Sequence, residues 1–155
     1  MSKDKDLWMV PGYYYDFAAE AVEYEPSTFG WIGVDRNGYS PKVVGRGTKY
    51  FWAQCIMGDT ADNISGVPKW GAVKAAAALE EASSDIECFD IVRRLYADSP
   101  HKWTHWEHGE ACTWGEALYG DMQLLWMRRT VEDRVDDFLK EVLSNVPEDY
   151  VPWTN

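Results

Sequence analysis

Asp59 and Asp62 are two carboxylates separated by two residues, a spacing that could hold a cation. Carboxylates this close repel each other and raise each other's pKa unless a positive charge neutralises them. Hard divalent ions such as Mg²⁺ and Mn²⁺ prefer an environment made of oxygen atoms alone. The pair therefore predicts a divalent-metal site. The alternative is a pair of acids that braces a loop by accepting hydrogen bonds from turn amides.

A short segment bounded by glycines, Gly66-Val-Pro-Lys-Trp-Gly71, follows the acidic pair and leads straight into an alanine-rich stretch. Glycine lets the backbone approach a ligand closely, and the free amides at a helix N-terminus favour phosphate. With this hairpin directly behind it, the acidic pair favours a metal site over a loop brace.

Three segments together resemble one known family. The stretch from Gly58 to Ala76, GDTADNISGVPKWGAVKAA, resembles the acidic loop and helix-hairpin-helix (helix–3-turn–helix, H3TH) region of the 5′ nuclease family. That family includes flap endonucleases, the 5′-nuclease domain of bacterial DNA polymerase I and phage 5′–3′ exonucleases. The opening segment, Ser2 to Pro11, is similar to the family's strand-end S-x-D-K-D-L segment, and Gly115 to Arg128 resembles the helix that closes the phage members. The resemblance covers residues 2–130.

The resemblance implies a Mg²⁺-dependent 5′–3′ exodeoxyribonuclease or flap endonuclease. Four aspartates would bind Mg²⁺ or Mn²⁺, namely Asp4, Asp6, Asp59 and Asp62. In two-metal sites the ions activate a water molecule and stabilise the leaving oxygen, so no side chain is needed as nucleophile. We therefore expect the two pairs of aspartates to converge in the folded protein, although they lie far apart in the sequence.

The resemblance also assigns duplex-DNA binding to the hairpin, through Gly66, Val67, Lys69, Trp70, Gly71 and Lys74. Main-chain amides would hold the DNA backbone and the two lysines would meet phosphates, contacts that position DNA without reading its sequence. A K⁺ ion on the hairpin carbonyls, as in relatives, is a further implication. The alternative function is a catalytically inactive module that binds DNA or a replisome protein and keeps only the H3TH fold.

Part of the family's site has no counterpart in this sequence. The resemblance places further metal-binding acids and a basic arch in an N-terminal α/β half, whereas only the start methionine precedes Ser2 here. This predicts the C-terminal half of a split or shortened nuclease, with a complementing N-terminal half as its protein partner. The resemblance to phage members implies the cytoplasm of a phage-infected bacterium as its location.

A second cluster with conceivable metal-ligand spacing lies between two predicted helices and consists of His101, His105, His108 and Cys112. Zinc ligands usually come in close pairs on both sides of a structural element, so a solvated loop is the favoured interpretation. Four arginines are interpreted as helix-surface charge rather than as a DNA-facing strip: Arg93, Arg94, Arg128 and Arg129.

The composition sets limits on the partners. Fifteen Lys and Arg against 26 Asp and Glu give a net charge of −11, which argues against attraction of the whole surface to nucleic acid. No run reaches the roughly 20 apolar residues of a membrane span, so no membrane partner is predicted. No apolar signal region follows the charged start. The widely spaced cysteines favour reduced thiols in the cytoplasm and are Cys55, Cys88 and Cys112.

The elements that must position these residues change character near residue 48. Before it, the segment from Asp6 to Phe17 predicts one or two short strands, and Asn37-Gly38 predicts a hairpin between strands 31–34 and 39–44. After it, helices are predicted over 49–57 with Thr48 as N-cap, 70–82, 85–97, 113–130 with a Thr113–Glu116 capping box, and 133–144.

These elements predict an α+β fold that is mainly α. Residues 1–47 are expected to form a C-terminal remnant of the nuclease α/β sheet with a β-hairpin. Residues 48–130 are expected to form a helical H3TH DNA-binding domain, and residues 131–155 an acidic helix and tail. The strand from Tyr13 to Phe17 is expected to join the same sheet as the D-K-D segment.

Overall fold

The computed structural model describes residues 5–16, 19–25 and 28–144. Within these residues the chain forms five α-helices, one 3₁₀ helix and two separate two-stranded antiparallel sheets. The predicted class, α+β and mainly α, is confirmed. No helix in the described ranges has both the length and the apolar character needed to cross a bilayer.

The order of elements follows the predicted change from strands to helices. The 3₁₀ helix comes first, over Lys5–Met9. The strands are β1 Gly12–Asp16, β2 Ala21–Glu25, β3 Trp31–Asp35 and β4 Lys42–Arg46. The helices are α1 Gly47–Met57, α2 Ala72–Leu79, α3 Asp85–Asp98, α4 Trp114–Leu125 and α5 Val135–Val142.

Helix α1 lies at the centre of the core. Every residue of α1 up to Ile56 is buried, including the polar residues Thr48, Lys49 and Gln54. Phe51 packs edge-on against Trp126 at 5.2 Å between ring centroids, and Trp52 packs against Phe89 at 6.0 Å. The helix contacts the 3₁₀ helix, the β3–β4 hairpin and helices α2, α3 and α4, so it connects the β part of the chain to the helical part.

The β part differs from the expected sheet. Lys5 and Asp6 of the D-K-D segment begin a 3₁₀ helix rather than belonging to a strand. Within the described residues β1 pairs only with β2, in register from Gly12 opposite Glu25 to Asp16 opposite Ala21. The prediction that residues 13–17 join a sheet with the D-K-D segment is therefore wrong, and Phe17 itself lies outside the described residues. The second hairpin is confirmed, with Asp35 opposite Lys42, so Asn37-Gly38 lies within a longer connection than a two-residue turn.

Two helix starts differ from the prediction. Thr48 is inside α1 rather than at its N-cap, because its hydroxyl donates a hydrogen bond of 2.6 Å to Asp85 Oδ1 instead of capping the helix. Helix α2 starts at Ala72 because Gly71, its N-cap, still has extended backbone. The capping box of α4 is confirmed, with the Thr113 hydroxyl and the Glu116 side chain each accepting the other's amide hydrogen bond.

Helix α4 ends five residues earlier than expected, and the loop that follows it is organised by one acid. The Asp133 carboxylate accepts hydrogen bonds from the Trp126 indole at 3.1 Å and from the Arg129 amide at 2.8 Å. Trp126 takes extended backbone as the C-cap, which stops the helix at Leu125. The acidic helix α5 follows, with Val135 and Leu139 buried against the core.

Candidate metal and nucleic-acid site

An acidic loop of residues 58–66 connects the end of α1 to the hairpin. Asp59 and Ile64 exchange two backbone hydrogen bonds of 2.8 Å, which close the loop. Gly58 and Gly66 flank it with φ of 70° and 58°, a left-handed conformation that favours glycine. A Cβ on Gly66 would lie 2.6 Å from the Ile56 carbonyl oxygen, so a side chain there would push the two ends of the loop apart.

Asp59 is the buried acid of this loop, and Asp62 is exposed. The Asp59 Oδ1 atom accepts a hydrogen bond of 3.0 Å from the Ala61 amide, and Oδ2 forms an ion pair with the Lys5 ammonium. Burial by itself would raise the pKa of Asp59, but the hydrogen bonds from Lys5 and Ala61 and the charge of Lys5 hold it below its usual value. Asp59 is therefore an ionised carboxylate at neutral pH.

The ion pair brings the D-K-D segment against the acidic loop across 54 positions of the sequence. Asp6 follows Lys5 directly in the 3₁₀ helix, and Asp4 lies outside the described residues. The convergence of all four aspartates stays a prediction. Convergence requires the two segments to lie close together. The Lys5–Asp59 contact meets this requirement for the backbone next to Asp6, which lies within one side-chain length of Asp59.

The acidic loop carries two carboxylates that could serve as ligands of a divalent cation. Asp59 Oδ2 already carries a positive partner, the Lys5 ammonium, in the position where a metal ion would neutralise the charge. Asp62 offers a second carboxylate to solvent on the same loop. This all-oxygen donor set suits Mg²⁺ or Mn²⁺, which bind one or two protein carboxylates and keep several water ligands.

The hairpin, residues 66–71, uses several of its own amides internally. Gly66 donates to Asp121 Oδ2 at 3.2 Å, Val67 to the Ile56 carbonyl at 2.8 Å, and Trp70 to the Val67 carbonyl at 3.1 Å. Gly66 and Val67 are buried. These two residues, both predicted to contact DNA, therefore hold the hairpin in place, and the exposed members of the predicted set are Lys69, Gly71 and Lys74.

The hairpin and the first turn of α2 form one surface, the hairpin surface, made of the exposed residues Lys69, Gly71 and Lys74 and the half-buried Trp70. The Lys74 ammonium lies 3.3 Å from the Lys69 carbonyl oxygen and 5.7 Å from the centre of the Trp70 ring. A Cβ added to Gly71 would have no neighbour within 4 Å. Residues 66–79 contain two lysines and no acid, in contrast to the acidic chain as a whole.

Lys69 has an unusual backbone at the tip of the hairpin. Its φ of 68° is left-handed, a conformation that costs a residue with a Cβ free energy and that glycine adopts readily. Strained residues of this kind concentrate at functional sites, where the side chain is needed in spite of the cost. This feature favours a functional role for the exposed Lys69 side chain.

Asp121 and Tyr96 hold the hairpin against the helical core. Neither residue was predicted from the sequence. The Tyr96 hydroxyl lies 2.7 Å from Asp121 Oδ2 and 2.8 Å from the Cys55 carbonyl oxygen. Burial raises the pKa of the Asp121 carboxyl above its usual value, against the opposing effect of the hydrogen bonds from Tyr96 and Gly66. The available signal was an acid placed among apolar residues of α4, between Leu118 and Leu125.

The histidine cluster does not assemble as the four-residue constellation. His105, Glu107 and His108 come within 4.8 Å of one another, whereas His101 packs on the Trp103 ring. The Glu107 amide donates to His105 Nδ1 at 3.2 Å, so the neutral His105 ring carries its proton on Nε2. Cys112 lies apart from this group, and the three thiols are free. His105 is half-buried and Glu107 and His108 are exposed, so this group of three lies at the surface between α3 and α4.

The arginine pair on α3 belongs to the helix surface, as expected. Arg93 and Arg94 both form ion pairs with Asp90, one turn earlier on the same helix. Arg128 and Arg129 lie in the loop after α4, so the prediction that they are helix-surface charge is wrong, because the helix ends at Leu125. Arg129 lies over the Trp126 ring at 5.6 Å. The guanidinium groups of Arg93, Arg94 and Arg129 are thus engaged with their own helix or loop.

The acidic loop and the hairpin surface are consecutive along the chain and share an anchor in α1. Gly58 ends that helix, and the Val67 amide returns to the carbonyl of Ile56 in its last turn. Candidate metal ligands and candidate phosphate contacts therefore belong to one folded unit. Comparisons with protein-family models, with curated proteins and with solved structures find no match for this chain.

Proposed function

We propose that this chain is the C-terminal half of a phage-type 5′–3′ exonuclease or flap endonuclease. It would supply metal-binding aspartates and duplex-DNA binding for phosphodiester hydrolysis with two metal ions. The observation that carries the proposal is the contact between Lys5 and Asp59, because it joins the two segments that resemble the family's metal-binding motifs. The location that follows from the proposal is the cytoplasm of a phage-infected bacterium.

The proposed roles follow from the local geometry. Asp59 presents Oδ2 from a closed loop, with Asp62 beside it and the D-K-D segment opposite. Bound at these carboxylates, Mg²⁺ or Mn²⁺ would supply an activated water and stabilise the leaving 3′ oxygen. The buried loop ends keep the carboxylate in place, which supplies the positioning on which such catalysis depends.

The hairpin surface would hold the duplex next to this site. Lys69 and Lys74 would neutralise phosphates without reading the sequence, and the half-buried Trp70 would support the surface from the core side. A K⁺ ion on the hairpin carbonyls is part of the proposal. The Lys69 carbonyl supports it, since that oxygen already accepts a cationic group, the Lys74 ammonium.

The proposed partner is the α/β half that carries the remaining acids and the basic residues. These groups would come from other sequence, either on the same polypeptide or on a second chain. Catalysis of this kind depends on positioning and charge stabilisation, so the residues described here should hydrolyse DNA little or not at all by themselves.

One observation also favours the alternative, a binding module without chemistry. Lys5 neutralises Asp59 without a metal ion, so the acidic loop can exist beside DNA with part of its charge compensated. In that case the carboxylates serve only to close the loop. Replacing Asp59 by asparagine should then change neither DNA binding nor nucleotide release.

An end-labelled duplex separates the two functions. The chain would be combined with the product of its neighbouring reading frame and Mg²⁺ or Mn²⁺, with a chelator as control. Release of nucleotides from 5′ ends that disappears in Asp59→Asn supports the nuclease. The same assay with Asp137→Asn, an exposed acid of α5, is the matched control and should retain full activity. Inactivity of a folded, verified complex would favour the binding module.

A further inference from the structure

The Lys5–Asp59 ion pair does more than join two segments of the chain. We propose that Lys5 is a built-in competitor of the divalent cation, occupying Asp59 until a metal ion displaces its ammonium. The inference rests on the proposed function, because it concerns the same carboxylate. It assigns Lys5 a role in setting how tightly the site binds metal.

The geometry of Asp59 makes Oδ2 the oxygen atom at which the two cations would compete. Its backbone is fixed by the two hydrogen bonds to Ile64, and Oδ1 accepts the amide of Ala61. The remaining atom, Oδ2, carries the Lys5 ammonium. A metal ion on Oδ2 and the ammonium on the same atom would repel each other strongly at that distance.

Lys5 is presented by a segment that is itself anchored. Met9, at the end of the 3₁₀ helix, is fully buried, and its sulfur accepts a hydrogen bond of 3.4 Å from the Met127 amide. The Trp8 ring packs against Tyr50 at 5.4 Å. The backbone therefore stays in place whether or not the ion pair is made. Only the long, flexible Lys5 side chain has to move.

The two partners of the pair differ in exposure, which makes exchange possible. The Lys5 side chain is 47% exposed and the Asp59 side chain 4% exposed. A displaced ammonium can turn into water, where it is well solvated. The buried Asp59 carboxylate, in contrast, always needs a positive partner, because an unpaired charge in that position would be costly. The Asp59 carboxylate would thus pair either with the Lys5 ammonium or with a metal ion.

The test measures Mn²⁺ binding directly, by the electron paramagnetic resonance signal of free Mn²⁺. Lys5→Gln, which keeps a hydrogen-bond donor but removes the charge, should bind Mn²⁺ about tenfold more tightly than the wild type. Lys42→Gln is the matched control, since Lys42 lines the same groove as Lys5. Its Mn²⁺ affinity should stay within about twofold of the wild type. Lys5→Arg, which keeps the charge, should not bind more tightly.

A second measurement uses the wild-type protein and needs no variant to fold. The rate of acetylation of the Lys5 amine, followed by mass spectrometry of peptides, should rise when saturating Mg²⁺ is added. The rate at Lys42 should stay unchanged. Equal acetylation of Lys5 with and without Mg²⁺ would contradict the proposal.

The outcomes also separate this inference from the proposed function. If wild type and Lys5→Gln bind Mn²⁺ equally, with binding lost in Asp59→Asn, the metal site stands and the competitor role of Lys5 is wrong. If neither protein binds Mn²⁺, both the competitor role and the metal site fail. If Asp59→Asn binds as the wild type does, the ion sits elsewhere and the inference is again overturned.

Discussion

The amide of Gly66 donates a hydrogen bond of 3.2 Å to the carboxylate of Asp121, which lies 55 positions later in the sequence. Asp121 is buried in α4, and the same oxygen atom lies 2.7 Å from the Tyr96 hydroxyl. The first residue of the hairpin is thereby tied to two helices of the core. The position of the hairpin surface therefore depends on a buried acid, Asp121, which lies beneath it.

Asp121→Asn should stabilise the protein relative to the wild type as the pH rises above about 3.8, the ordinary value for this group. The reason is that the folded state raises the pKa of Asp121, so ionisation favours the unfolded chain over that range. The advantage should grow by about 1.4 kcal/mol for each pH unit up to the folded pKa, then level off. Urea denaturation at several pH values from 4 to 7 measures it.

The control for this prediction is Tyr96→Phe, which removes a hydroxyl and leaves the carboxyl in place. It should destabilise the protein by about 1–2 kcal/mol, because Asp121 and the Cys55 carbonyl lose a buried partner. A difference between wild type and Asp121→Asn that stays constant from pH 4 to 7 would show that Asp121 does not titrate in the folded protein as described.

Asp59→Asn should show the opposite dependence on pH. The folded state lowers the pKa of Asp59 below its ordinary 3.8, so the stability contributed by its ionised form is complete above that pH and is lost as the pH falls through the folded pKa. The variant should be less stable than the wild type at pH 6 and approach it near pH 3. Thermal unfolding across this range gives the comparison, and a wild-type advantage that persists to pH 2 would contradict it.

Gly71→Asp should weaken duplex binding roughly tenfold at low salt, since it places a carboxylate on the hairpin surface beside the phosphates. The protein itself should not lose stability, because Gly71 is the N-cap of α2, has ordinary negative φ and has open space around it. Aspartate is a favoured N-cap residue. Fluorescence anisotropy of a labelled duplex measures the binding.

Gly71→Ala is the matched variant for that experiment, because it adds a Cβ without charge. It should bind DNA nearly as well as the wild type. Equal binding by Gly71→Asp and Gly71→Ala would show that the duplex does not lie against this surface. Gly66 is unsuitable for the same purpose, since any side chain there would meet the Ile56 carbonyl and disturb the fold.

Lys69 allows stability and DNA binding to be separated. Lys69→Gly should raise the free energy of unfolding by about 1 kcal/mol, because glycine adopts the left-handed backbone at this position without strain. Lys69→Gln keeps the strain and should leave stability unchanged. Both variants remove the charge, so both should lower the slope of log affinity against log salt by about one. A Lys69→Gly protein that binds DNA normally would contradict the proposed contact.

The features that the sequence predicted correctly are those set by nearby residues. The Thr113–Glu116 capping box, the α3 start at Asp85 and the β3–β4 hairpin depend on side chains within a few positions of one another. The acidic loop followed by the hairpin was also visible, because glycines at its two ends mark the left-handed turns that close it. Local chemistry was sufficient in each case.

The features that the sequence missed depend on contacts between distant segments. The sequence around Thr48 is typical of an N-cap, but its hydroxyl donates a hydrogen bond to Asp85, 37 positions later. Nothing in the sequence near Asp121 indicates that its carboxylate accepts a hydrogen bond from the distant Gly66 amide. The 3₁₀ helix in place of a strand at Lys5–Met9 is held by Met9 in the core and by the Trp8–Tyr50 contact. No spacing rule within these segments encodes such partners.

Helix α1, covered on all sides, has a consequence for how the site moves. The amides of Asp59, Ile64 and Val67 are tied to each other or to that helix, so their hydrogen exchange with solvent should require unfolding of the whole core. The acidic loop and the base of the hairpin are thus ordered before any ligand arrives. A metal ion or a duplex would meet a preorganised surface and would not have to provide the free energy for folding a loop.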